Sequence, residues 1–149
     1  MATADYEAIA VALAARFAAA ALTPPAGYAT VRSSTANAPG AIGPTPAVVV
    51  SLDQGEFVTG NSTRKGAQSW FVRFYFDQTS DLERTEPALR KWATVLRDQL
   101  KGAAQLVGII DLAVIASFRL GILAYGGVDY TGIELTVHTA TSEGWAATS

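Results

Sequence analysis

The chain predicts an α+β fold in a single domain spanning residues 1–149, with elements in the order α-β-β-β-α-β-β and one mostly antiparallel sheet. Three observations lead there. Two segments repeat apolar residues at helical spacing, "QSWFVRFYFD" (residues 68–77) alternates with a period of two, and the end of the chain reads as two strands around a glycine turn. With 149 residues, half of them hydrophobic, the chain can bury a core of its own.

The first helix is expected over residues 4–21. Tyr6, Ile9, Ala10, Leu13 and Phe17 form one stripe, Asp5 and Glu7 suit the positive end of the helix dipole, and Pro24 and Pro25 stop it. The remaining positions are mostly alanine, a smooth back that suits close packing and is equally what a good helix former supplies. A short strand follows over Tyr28–Ser34, then a Pro/Gly loop, and Pro46 leads into the β-branched strand "AVVVSL". The polar, glycine-containing connection at about 53–69 reads as a long loop between this strand and the one opening at Trp70. Loops of that length in a compact domain are usually functional or disordered.

The second helix is capped by Thr85, with Glu86 and Pro87 in its first turn and Gly102 after its end. Leu89, Trp92, Val95, Leu96 and Leu100 share one face, which suits packing on Trp70, Val72, Phe74 and Phe76. A short, helix-compatible segment runs through Ile110, and "LAVIASFRLGIL" and "YTGIELTVHTA" then pair around "YGGVDY".

One feature of the strand at Trp70 sets the functional question. Its second face carries Phe71, Arg73, Tyr75 and Asp77, half aromatic and half charged, where a half-buried strand would show water a polar face. Another chain or the first helix is expected to cover Phe71 and Tyr75. Burying each aromatic would contribute roughly 1.5–3 kcal/mol.

Composition excludes several classes. A net charge of −2 with 16% charged residues lacks the basic surplus of a dedicated nucleic-acid binder. The absence of cysteine excludes a disulfide scaffold, a thiolate metal site and a cysteine nucleophile, and fits synthesis in a reducing cytoplasm. Two apolar runs resemble targeting or membrane segments. The first, residues 8–22, follows Asp5 and Glu7 rather than positive charge and contains Arg16. The second, residues 106–128, holds Asp111 and Arg119, each costing roughly 2.5–3.5 kcal/mol near a bilayer centre. Neither is read as a membrane span.

No catalytic, cofactor or metal constellation emerges. "GEFVTGNS" has phosphate-loop glycine spacing, but Asn61 replaces the lysine and a strand follows instead of a helix. Asn61-Ser62-Thr63 matches a glycosylation acceptor, which matters only for a secreted chain. His138 is the single histidine, too few for a typical zinc site, and no G-x-S-x-G elbow accompanies it. Asp111, Asp129 and Glu134 flank the last hairpin and read as turn and outer-face charges, with an acid/base or cation role as the alternative. Arg64 and Lys65 at the loop tip suit phosphates or an acidic partner, and equally a solvated tip. The chain is read as a contact protein and not an enzyme.

The order of elements resembles the tail terminator proteins (tail completion or tail-to-head joining proteins) of long-tailed bacteriophages. The resemblance runs from "DYEAIAVALAARF" through "PAVVVSL", the connection, "WFVRFYFD" and "PALRKWATVLRDQL", and is closest at "YGGVDYTGIELTVHT", where an aromatic and a glycine lead into the last strand. It implies a structural virion protein, made in the host cytoplasm and located at the head-proximal end of the tail. Such proteins form a homo-hexameric ring that caps the tail tube, ends its elongation and meets the head-side connector or stopper, with DNA passing through without sequence-specific contact. A ring needs two different complementary patches per subunit. The candidates are Phe71, Arg73 and Tyr75 on the strand face with the alanine-rich first helix, Phe57, Arg64 and Lys65 on the long loop, and Tyr130 in the final hairpin. The alternatives are another head-tail joining protein, a stopper or adaptor, and a cone-shaped α+β domain holding a small ligand among Trp70, Phe74 and Phe76.

Overall fold

A computed structural model describes residues 5–59, 63–100 and 110–144. Its elements follow the expected order: α1 (Tyr6–Arg16), β1 (Ser33–Thr35), β2 (Ala47–Thr59), β3 (Thr63–Asp77), α2 (Leu82–Leu96), β4 (Ile110–Tyr125) and β5 (Val128–Gly144). The strands form one mixed sheet in the order β1-β2-β3-β5-β4. Only β1 and β2 run parallel; the other neighbours are antiparallel.

Both helices lie on one face of this sheet. Ile9, Leu13 and Phe17 of α1 and Leu89, Trp92 and Leu96 of α2 join Val48, Val50, Trp70, Val72, Phe74, Ile133, Leu135 and Val137 in the main core. The rings of Phe74 and Trp92 are 4.6 Å apart, so α2 packs on the strand face expected to receive it. Burying Phe or Trp side chains of this kind contributes roughly 1.5–3 kcal/mol each.

The helix limits differ from those expected. Asp5 caps α1, its carboxylate accepting from the Ala8 N–H at 3.1 Å. The helix ends at Arg16, well before Pro24, because Gln99 takes over its terminus. The Gln99 amide donates to the Arg16 carbonyl at 2.6 Å and to Ala21 at 3.0 Å, while the Arg16 guanidinium donates to the Gln99 carbonyl. Carbonyls at a helix end need such donors. The cap of α2 is Asp81, not Thr85: Asp81 accepts from the Arg84 N–H at 3.1 Å. The Thr85 hydroxyl instead donates back to the Asp81 carbonyl from inside the helix. The segment from 102 to 109 lies outside the described residues, and Ile110 opens β4.

Two strand expectations need correcting. The strand expected over Tyr28–Ser34 is reduced to Ser33–Thr35, since Tyr28 sits in a turn whose N–H bonds the Pro25 carbonyl and whose neighbour Gly27 has φ +87°. The long loop at about 53–69 is not a loop. β2 and β3 stay paired from Gln54↔Ser69 to Thr59↔Arg64, and β5 continues beside β3 to Thr63↔Gly144. The polar residues here hide the alternation, and the glycines at 55, 60 and 66 look like breakers. Phe57 stands opposite Gly66, its ring about where a cross-strand side chain would be missing, which supports the pairing.

This three-stranded arm continues past the last row of β4, Ile110↔Thr141. At its base Gln68, Trp70, Thr139 and Thr141 form a buried chain of hydrogen bonds. Trp70 Nε1 donates to Thr139 Oγ1 at 3.0 Å, Thr139 to Gln68 Oε1 at 2.8 Å, and Gln68 Nε2 to Thr141 Oγ1 at 3.2 Å. The final hairpin turns at Gly126 and Gly127 with φ +60° and +82°, the positive values that favour glycine in a two-residue hairpin turn.

Candidate interaction surfaces

The sheet face away from the helices carries the residues that posed the functional question. Tyr75 is only 2% exposed, and its cover comes from its own chain. Tyr130 and Tyr125 meet it edge-on at 5.4 and 5.8 Å, and Val49 and Leu123 complete the cluster with Ile42 from the loop before β2. The Tyr125 hydroxyl donates to the Pro39 carbonyl and ties that loop down. The expectation that a partner covers Tyr75 and Tyr130 is therefore corrected: both are buried inside the subunit. The first helix covers neither Tyr75 nor Phe71, because α1 lies on the opposite face. Burial pushes the Tyr75 phenol above its ordinary pKa, against the lowering effect of Arg73.

Phe71 and Arg73 remain partly accessible. The Arg73 guanidinium lies 4.7 Å from the Phe71 ring centroid, an attractive cation–π geometry. Its Nε donates to Glu134 Oε2 at 2.8 Å across the β3–β5 row, and Arg119 Nη2 approaches Glu134 Oε1 at 3.5 Å from β4. One carboxylate thus sits between two guanidiniums in a trough of about 390 Å³ beside Ser51, Tyr75 and Tyr125. The sequence reads Glu134 as an outer-face charge, with an acid/base or cation role as the alternative, and Arg119 as a charge interrupting an apolar run. Their meeting with Arg73 depends on register, which no spacing along the chain reveals.

On the arm, Phe57 is 47% exposed, and the Arg64 guanidinium lies 4.3 Å from its ring centroid. Lys65 is exposed on the same strand. Phe57 and Arg64 form one patch, whereas Lys65, in the row of Val58, lies on the opposite face of the arm. His138 is exposed on β5, Asp129 is exposed in the hairpin, and the Asp111 side chain lies outside the described residues. Among the described residues, no three His, Cys, Asp or Glu side chains gather as a metal site, and no helix is long and apolar enough to cross a membrane.

The sequence reading missed a third surface. Val114, Phe118 and Ile122 are exposed along β4, the outermost strand on one side. On the other side Leu52 and Val58 of β2 are exposed, Val58 at 74%. Their apolar character is plain in the sequence, but their exposure follows from edge position, which it does not disclose.

No family model matches the chain, and no curated protein matches it.

Proposed function

We propose that this chain is a structural virion protein of the tail-terminator kind: a ring, six subunits in number, that caps the tail tube, ends its growth and presents a surface to the head-side connector. The single observation that carries the reading is the placement of exposed apolar side chains toward opposite edges of one sheet, Leu52 and Val58 on the part of β2 beyond its pairing with β1 at Ala47–Val49, and Val114, Phe118 and Ile122 on β4. A head-to-tail ring requires two unlike patches on each subunit, and a sheet with two open edges supplies them. The element order that prompted the resemblance is also the order of the fold. In this reading the arm, with Phe57, Arg64 and Lys65 near its end, is the part that reaches a different protein, either the tube or the connector.

The experiment is tube capping. Tail tube protein from the same phage is polymerised with and without gold-labelled chain and imaged by electron microscopy. Label at one end of each tube, with shorter tubes as more chain is added, supports the reading; label along the walls, or none, contradicts it.

One observation favours a second reading. The trough holding Arg73, Glu134 and Arg119 carries two cations against one carboxylate, which suits a small anion. The space between sheet and helices, where a cone-shaped domain would hold its ligand, is filled by Trp70, Phe74 and Trp92. Calorimetric titration with small di- and tricarboxylates distinguishes this reading: saturable binding lost in Arg119→Ala supports it, and no heat of binding removes it.

A further inference from the structure

We propose that the trough beside Tyr75 is a seat for one carboxylate of a small organic acid. Arg119 and Arg73 are its cations, the Tyr75 hydroxyl is its neutral donor, and Glu134 limits it to a single negative charge. The inference rests on the anion reading of the trough and gives that reading a ligand class and a means of selection. It is independent of whether copies of the chain form a ring.

The first observation is Tyr75 itself. The residue is 2% exposed and lines the trough, and among the described residues its hydroxyl has no hydrogen-bond partner. The neighbouring Tyr125 hydroxyl, in contrast, is bonded to the Pro39 carbonyl. Buried polar groups are ordinarily satisfied, so an enclosed and unpaired hydroxyl at the wall of a trough marks where a ligand atom belongs. Burial raises the Tyr75 pKa above its ordinary value, so the phenol keeps its proton at neutral pH and can donate it in a hydrogen bond.

The second observation is a surplus of donors. Arg73 uses Nε on Glu134 Oε2 at 2.8 Å and reaches Ser51 Oγ only at 3.5 Å. Arg119 approaches the same carboxylate at 3.5 Å, from a side chain that is 58% exposed. Each guanidinium carries several N–H donors in a planar fork, more than one shared carboxylate can engage. Gly121, two residues on along β4, leaves room for the Arg119 head: a Cβ there would stand 3.2 Å from Arg119 Nη1. A planar fork beside a neutral donor is suited to a carboxylate bound through both oxygens.

Charge decides the ligand class. Two guanidiniums against Glu134 leave one net positive charge, which one carboxylate balances. A second carboxylate in the trough would meet Glu134 at close range and be repelled. Val49, Leu123 and Tyr125 supply apolar and aromatic wall, so the rest of the ligand is uncharged there or reaches out to water. The volume of about 390 Å³ is near the small end of ligand sites, roughly 300–1,000 Å³, and suits a small acid.

The test compares glutarate with its monomethyl ester, which share a chain and differ by one charge. Calorimetric titration of the full chain at neutral pH should show nearly equal affinities in the wild type. Glu134→Gln should tighten glutarate by about tenfold or more, and the ester by less. Tyr75→Phe should weaken the ester by about fivefold, the loss of one hydrogen bond. Arg119→Ala should abolish binding, and Arg90→Ala, which removes an exposed cation from α2, should leave it unchanged. Circular dichroism with a cooperative melt checks that each variant folds.

The outcomes separate the two claims. Glutarate bound much more tightly than its ester by the wild type would overturn the one-carboxylate seat and leave the anion reading standing. Equal affinities in Tyr75→Phe and wild type would overturn the part given to the hydroxyl. Binding of neither acid, by wild type or by Glu134→Gln, would remove the inference together with the anion reading. A second readout does not depend on the heat of binding. The ester should raise the melting temperature of Glu134→Gln more than that of wild type, and should not raise that of Arg119→Ala. A rise of equal size in all three would overturn the seat.

Discussion

Arg73 Nε and Glu134 Oε2 are 2.8 Å apart across the β3–β5 row, and Glu134 Oε1 faces Arg119 Nη2 at 3.5 Å from the next strand. The carboxylate thus bridges three strands on the face that the helices leave open. Opposite charges at directly paired positions contribute roughly 0.2–1 kcal/mol, and the partial exposure of Arg73 keeps this pair within that range. Glu134→Gln leaves two guanidiniums close together without their anion. It should destabilise the fold by about 1 kcal/mol, and added salt should recover part of the loss, as urea melts at low and high ionic strength would show.

The two buried tryptophans give a matched comparison. Trp70 Nε1 donates to Thr139, whereas Trp92 Nε1 is buried without a partner. Replacing either by Phe removes similar ring volume. Trp70→Phe also leaves the Thr139–Gln68 chain short of a donor, and an unsatisfied buried polar group costs roughly 1–3 kcal/mol. Trp92→Phe removes a donor that has no bond to lose. Equilibrium unfolding should therefore show Trp70→Phe as the more costly change by about 1 kcal/mol. Equal costs would contradict the hydrogen-bond chain at the arm's base.

Gly132 of β5 lies hard against the β3 backbone at Phe74. A Cβ there would overlap the Phe74 carbonyl oxygen and come within 2.9 Å of Leu123 Cδ1. The obstacle is backbone, which cannot rotate away as a side-chain tip can. Gly132→Ala should cost more than about 2 kcal/mol, comparable with overpacking a core. A thermal melt reads it directly; a melting temperature equal to wild type would contradict the close approach.

Tyr75 makes a prediction at high pH. Its folded pKa is raised above the ordinary phenol value, chiefly by burial, so the folded state holds the proton more tightly than the unfolded chain. The stability linked to this proton is fully present below the unfolded pKa of about 10 and is lost as pH rises through the higher folded value. Tyr75→Phe keeps the ring and removes the proton. Below pH of about 9 its melting temperature should stay within a few degrees of wild type, and above about 10.5 it should fall less steeply. Parallel alkaline slopes would contradict a buried, protonated Tyr75.

The elements legible in the sequence were those whose periodicity is carried by large side chains. The α2 stripe of Leu89, Trp92 and Leu96 and the β3 alternation of Trp70, Val72 and Phe74 face each other as read. The glycine pair at 126 and 127 marked its hairpin because positive φ needs such residues. The arm was missed because Gln54, Glu56, Arg64 and Lys65 alternate without an apolar face, leaving pairing itself as the organising force. The covering of Tyr75 by Tyr125, Tyr130 and Ile42 was missed for a different reason. It joins three segments distant along the chain, and neither helix takes part.

The central claim is that copies of this chain close into a ring. Native mass measured across a wide concentration range, with electron microscopy of the same samples, tests it most directly. The account predicts a discrete species of six copies of the 15.6 kDa chain with a central hole. A monomer at every concentration up to about 1 mM, where even weak pairing of roughly 4 kcal/mol would show, would contradict it.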